Sequence, residues 1–247
     1  MIIYEVVTED VAGVLAAETG GAHRIEFCSA LDVGGLTPSV GMVQEAIQRR
    51  EQIPIMVMVR PRGGDFCYSE TEFATMLADI DAIKATGAEG VVFGVLNSDG
   101  TVDTERTNQL VLRARPMLVT FHRAFDMTVD PYDALDALID VGIDRILTSG
   151  QESTAIKGMS CIQRLVKQAD GRITILAGSG IRPANVQQLV VQTGIREVHG
   201  SAFAKTQSSM TYRNPRLSMG EEGSDEYALT VTDERKVRKM VEVLGKF

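Results

Sequence analysis

Side chains able to do chemistry are sparse in this chain of 247 residues, which carries three histidines and three cysteines. Cys28, Cys67, His122 and His199 offer thiol and imidazole ligands, and thiolates favour Cu(I) over harder ions. No Cys-x-x-Cys, His-x-x-x-His or Met-x-x-Met spacing accompanies them, so a metal site would depend on the fold to gather them. Glu5, Glu26 and His122 stand inside apolar runs ("IIYEVV", "RIEFC", "MLVTFH"), and Arg60 directly follows a fourth, "IMVMV". An ionisable group in such a run needs a partner, and Arg60 is expected to pair with Glu26 or Glu5. His122, with an ordinary pKa near neutrality, would serve as general acid or base, with Glu26 or Glu5 orienting it or taking the second proton role. The same four groups could equally form an ion-pair network that plugs the end of a barrel, because perturbed charges mark function only statistically.

A second constellation is rich in glycine. "TSGQ" (148–151), "AGSGI" (177–181) and "HGSAF" (199–203) each follow an apolar run. Turns of this kind expose backbone N–H groups that bind anions. Gly150, Gly178, Gly180 and Gly200 would let a phosphate or carboxylate approach the chain; Ser149, Ser179 and Ser201 would add hydroxyls, and Arg62 a cation. Ordinary tight turns would leave the same trace. Ser149 and Ser201 lack a nucleophile-elbow context. No lysine lies in a strand pattern, so a Schiff base is not indicated.

The elements that would position these residues form a regular series. Strand-like runs occupy 2–7, 24–28, 55–59, 90–95, 117–122, 144–149, 173–178 and 197–201. Helical periods fall at 8–19, 39–50, 70–86, 104–114, 131–141, 154–168, 184–192 and 233–245. Ser69-x-x-Glu72 is a capping box and Asp130-Pro131 a helix start. Gly20, Gly87, Gly142 and Gly194 follow helices, where a left-handed residue ends the turn. Eight βα units predict a closed (β/α)8 barrel in one domain; an open doubly wound sheet is the alternative, but no Gly-x-Gly-x-x-Gly opens its first helix. A barrel places active groups at the C-terminal ends of its strands, where most of the polar residues above fall. Strand alternation puts Glu26 with Cys28, Met58 with Arg60, and Thr120 with His122 on common faces. Residues 204–232 have no clear period and read as an irregular excursion: a lid, a subunit contact or a loose loop.

The composition narrows the partners. The formal net charge is −8, which disfavours nucleic acid and membrane surfaces. No apolar stretch approaches the length of a membrane span, and "MIIYEVVTED" lacks the marks of a signal peptide. Three widely spaced cysteines make no disulfide framework, so a reduced, cytoplasmic protein is expected.

"RPRGGDFCYS" (60–69) and "TFHRAFD" (120–126), with "RIEFCSALDVGGLTPS" (24–39), "LTSGQ", "EVHGSAF", "YRN" (212–214) and "SMG" (218–220), resemble the copper homeostasis protein CutC family over nearly the whole chain. The resemblance implies a TIM-barrel-like fold, a cytoplasmic homo-oligomer, most simply a homodimer, and copper handling. It implies copper ligands at Cys28 and Cys67, with His122 and His199 as helpers. His23 departs from the aspartate usual in relatives, and Cys67 occupies a position that relatives sometimes fill with an aliphatic residue. Beside copper binding stands a second reading, an enzyme or sensor for a small phosphorylated or carboxylated molecule. A third is a scaffold acting through its oligomer surface.

Overall fold

The computed structural model describes residues 1–214, 216–217 and 225–247. Eight parallel strands close into a barrel in sequence order. They are β1 (Ile3–Thr8), β2 (Arg24–Phe27), β3 (Ile55–Met58), β4 (Gly90–Phe93), β5 (Leu118–Phe121), β6 (Arg145–Thr148), β7 (Thr174–Ala177) and β8 (Glu197–Ser201). The helices α1 (Val11–Thr19), α2 (Val40–Arg49), α3 (Glu70–Thr86), α4 (Thr104–Ala114), α5 (Pro131–Asp140), α6 (Met159–Ala169), α7 (Val186–Thr193) and α8 (Glu234–Leu244) alternate with them. The alternation follows from the sequence: apolar runs buried on both faces pair as parallel strands, and amphipathic segments cover them.

Local chemistry sets the boundaries. Ser69 Oγ accepts from the Glu72 backbone N–H while the Glu72 carboxylate accepts from the Ser69 N–H, so both arms of the capping box are present. Asp130 caps α5 ahead of Pro131. Gly87, Gly142 and Gly194 adopt left-handed conformations after their helices, but after α1 that role falls to Gly21, not Gly20. Helix α6 starts at Met159, later than its periodicity indicates, because residues 151–158 form turns.

Two cores result. The larger lies between barrel and helices, with Tyr4, Phe27, Phe93 and Phe121 fully buried. The smaller lies inside the barrel and joins Val7, Cys28, Met56, Met58 and Val92. Part of the segment read as irregular is regular: β9 (Phe203–Gln207) and β10 (Ala228–Thr232) form an antiparallel ribbon. The triplet at 218–220 lies outside the described residues. No described helix is long and apolar enough to cross a membrane.

Candidate functional site

Strand register builds the site. Glu5 on β1 stands beside Arg24 on β2 and beside His199 on β8. Alternation then turns Glu5, Arg24, Glu26, Thr120, Arg145, Glu197 and His199 toward the barrel axis. At the lower level, Arg24 Nε donates to Glu5 Oε2, and Arg24 Nη2 donates to Glu197 Oε2 at 2.5 Å. Arg145 Nε reaches the same Glu197 oxygen at 2.8 Å, and its Nη1 donates to Thr120 Oγ1 at 3.1 Å. Above this, His199 Nδ1 lies 2.8 Å from Glu5 Oε1, and its Nε2 lies 3.8 Å from Glu26 Oε2. The chain of charges therefore climbs from Glu197 to Glu26, with Arg24 as the counter-ion of Glu5.

That finding corrects one expectation. Arg60 pairs with neither Glu5 nor Glu26. Its Nη1 donates to the carbonyls of Val33 at 2.8 Å and Gly35 at 3.0 Å, its Nη2 to that of Gly64 at 2.9 Å, and the guanidinium sits over the Phe66 ring. Arg24 has the missing role, and strand parity with Glu26 in "RIEF" carried the signal. Glu197, two residues before His199, and Arg145, within "DRILTS", were legible in the same way.

Above the network lies a cavity of about 160 Å³ bordered by Glu26, His199, Arg60, His122 and Arg123, with walls from Val7, Leu31, Met58, Phe66 and Leu147. Of the predicted residues, the fold thus brings Glu26, Arg60, His122 and His199 to one cavity. Glu5 lies beneath it, fully buried. His122 Nδ1 accepts from the Ala124 N–H at 3.1 Å and caps the short 3-10 turn Arg123–Met127. That bond leaves the neutral ring's proton on Nε2, which has no partner. Glu26 Oε1 and Arg60 Nε are likewise buried without a partner. Gly94 makes room for the histidine: a Cβ there would stand 2.6 Å from His122 Cε1 and Nδ1.

Burial decides the proton positions. It lowers the His122 pKa to about 3, assisted by the nearby Arg60 charge, so the ring is neutral at physiological pH. Burial raises Glu26 to about 7, with the Glu5 charge adding to it and His199 and Arg24 opposing. Burial alone would also raise Glu5, but the Arg24 guanidinium and the His199 contact override it and hold this carboxyl far below its usual range. His199 is disfavoured as a cation by burial, yet the facing Glu26 and Glu5 carboxylates raise its pKa. Burial thus shifts the two groups in opposite directions: Glu26 is raised toward neutrality, and His122 is held neutral with its proton on Nε2.

The remaining candidates lie elsewhere. Cys28 is completely buried beside Met56 and Met58; its Sγ donates weakly to Thr8 O at 3.9 Å, and burial pushes the thiol pKa far up. Cys67 is exposed and lines a separate depression with Tyr68 and Arg106. Among the described residues, the metal-competent grouping is Glu5, Glu26 and His199, whose ligand atoms lie within 4.8 Å of one another. Arg62, expected at the mouth, instead holds Glu72 at 2.6 Å and Asp65 at 2.9 Å; Arg123 stands on the cavity wall in its place.

The glycine turns are partly filled by the protein itself. The Asp126 carboxylate accepts from the N–H groups of Ser149 and Gln151 and from the hydroxyls of Thr148 and Ser149, at 2.5–3.1 Å. Gly150 permits the tight turn, since a Cβ would stand 2.5 Å from Gly158 O. The Gly178 N–H donates to Thr148 O and the Ser179 hydroxyl to Ser153 O. Gly180 accepts from Asn185 Nδ2. Ser201 is exposed and faces a different groove.

Comparison with known proteins agrees with this architecture. The CutC family model matches residues 2–204. The chain belongs to the CutC family. It is 47% identical over 239 residues to the copper homeostasis protein cutC homolog of Homo sapiens, covering 96% of this chain and 87% of that protein. A CutC family protein of Mesorhizobium japonicum is 49% identical, with 94% and 90% covered. The crystal structure of a CutC protein from Streptococcus agalactiae superposes with a TM-score of 0.77 at 34% identity, covering 81% of this chain and 98% of that one. Phosphoribosylanthranilate isomerase from Pyrococcus furiosus, at 13% identity and a TM-score of 0.57, shares the fold alone.

Proposed function

We propose that this CutC protein serves copper homeostasis, the role carried in the name of its human relative, by binding a small carbonyl or carboxylate compound at its barrel mouth. The observation carrying this reading is that Glu26 Oε1, His122 Nε2 and Arg60 Nε, all buried and unpartnered, belong to residues around one cavity. Buried polar atoms are normally satisfied, so three orphans around one space call for an occupant. The cavity is below the ~300–1,000 Å³ typical of drug-sized ligands, which suits a small metabolite. His122 Nε2–H and Arg60 Nε–H would hold a carbonyl or carboxylate oxygen and stabilise negative charge on it. Glu26, balanced near neutrality, would take a proton from the carbon beside that group and return it.

Direct copper binding is the second reading, favoured by the Glu5, Glu26 and His199 grouping. Two carboxylates and an imidazole suit a divalent ion rather than Cu(I), and Arg24 competes for Glu5. The Cys28 and Cys67 pair fits Cu(I) poorly, with one thiol sealed in the core and the other on the surface.

Native mass spectrometry with metal analysis, on protein purified from cells, tests the proposal. The expected result is a small organic adduct that persists in Cys67→Ser and disappears in His122→Ala. A copper adduct abolished by replacing Cys28 and Cys67 with serine would overturn it.

A further inference from the structure

A second, larger cavity of about 690 Å³ lies outside the barrel, between the loop after β7, the end of β8 and helix α8. Ile181, Phe203, Met240 and Val243 give it apolar walls. Arg182, Lys236 and Lys239 stand around it, and no carboxylate lines it among the described residues. In a chain of net charge −8, three cations without an acid are a local reversal of sign. Lys236 Nζ is held at 2.5 Å by Phe203 O. The side chains of Arg182 and Lys239 make no hydrogen bond or ion pair among the described residues.

Tyr4 adds a hydroxyl to the wall of this groove. It is 1% exposed, and burial raises its pKa to about 12. Its side chain lines this groove, yet its hydroxyl has no hydrogen-bond partner in the described residues. The hydroxyl is not sealed from solvent: it opens onto the groove, where it can donate to a bound oxygen. Gly200 borders the same wall: a Cβ there would stand 3.4 Å from Tyr4 Oη, narrowing the approach.

We propose that this groove binds an amphipathic anion, its acidic head between Arg182 and Lys239 within reach of the Tyr4 hydroxyl and its hydrocarbon part along Ile181, Met240 and Val243. Charge complementarity selects the head, and the apolar walls supply the burial that a bare inorganic anion could not use. The site is separate from the barrel mouth and does not depend on its function.

Isothermal titration calorimetry with octanoate, octyl phosphate, octyltrimethylammonium and inorganic phosphate tests this. At least one of the two amphipathic anions binds the wild-type chain, and the stronger of them identifies the head group as carboxylate or phosphate. Inorganic phosphate binds at least about tenfold more weakly than that anion, and Lys239→Glu weakens the anion by about tenfold, the scale of one charge-assisted contact. Tyr4→Phe, which keeps the packing, weakens it less, and Glu26→Gln at the barrel mouth leaves it unchanged. Absence of anion binding, equal binding of the ammonium compound, or an unchanged affinity in Lys239→Glu overturns the proposal. So does a groove closed by a second copy, detected as a dimer in sedimentation that Lys239→Glu dissociates.

Discussion

At the residue scale, one carboxyl and one imidazole have exchanged the roles their free pKa values suggest. Glu26, raised to about 7 by burial, binds a proton in the folded protein over a range where the unfolded chain, with a carboxyl near 4.5, has lost it. Its stabilising contribution is complete below about 4.5 and vanishes as pH rises through about 7. His199, raised by the same carboxylates, has the same sign. His122, lowered to about 3, has the opposite sign: its contribution is present above the ordinary 6.5 and is lost as pH falls toward 3. Glu26→Gln should therefore gain stability relative to wild type as pH rises from about 4.5 to 7, by up to about 1.4 kcal/mol per unit. Urea denaturation across that range reads the difference; a flat difference would mean that Glu26 is ionised throughout. Arg24→Met leaves Glu5 and Glu197 short of a buried counter-ion and should cost about 3–5 kcal/mol in the same experiment.

At the scale of elements, the turn after β6 is a self-satisfied anion cradle. Asp126→Ala removes a carboxylate that accepts from two backbone N–H groups and two hydroxyls. It should destabilise the chain by about 3 kcal/mol or more, since hydrogen bonds to charged groups are among the strong ones. Thermal unfolding gives the value, and a near-neutral result would show that water replaces the carboxylate freely. This cradle also explains what the sequence could and could not reveal. Alternation of apolar runs and helical periods located all eight barrel strands, because burial on both faces leaves a continuous signature. Glycine turns looked like a ligand site because the backbone that receives an external phosphate is the same backbone that receives Asp126, 22 residues before Thr148. Parity could have found Arg24. Nothing local distinguished Arg60, whose two Nη atoms donate to carbonyls of Val33, Gly35 and Gly64, or Cys67, whose exposure is a property of the folded loop.

At the scale of the whole molecule, the β9–β10 ribbon and the chain around it leave apolar surface uncovered. Met210, Tyr212 and Leu217 are 56%, 69% and 59% exposed, and Leu229 is 49% exposed. The family resemblance implies a homodimer, and we propose these side chains as the surface that meets the second copy. Replacing residues 208–226 with a short flexible linker should convert a dimer to a monomer in sedimentation velocity. A dimer that persists would locate self-association elsewhere.

The interior ion network also constrains how this barrel can be re-engineered. Each of Glu5, Arg24 and Glu197 has two charged neighbours, so a new specificity drawn through that ring would need several coordinated replacements at once. The segments at 28–37 and 60–68 border the mouth through Leu31, Gly34, Arg60 and Phe66; Arg60 ties them together through the carbonyls of Val33, Gly35 and Gly64, and Cys28 packs in the core inside the barrel. Libraries confined to those two rim segments, with both residues retained, should therefore yield folded proteins far more often than libraries that enter the barrel axis.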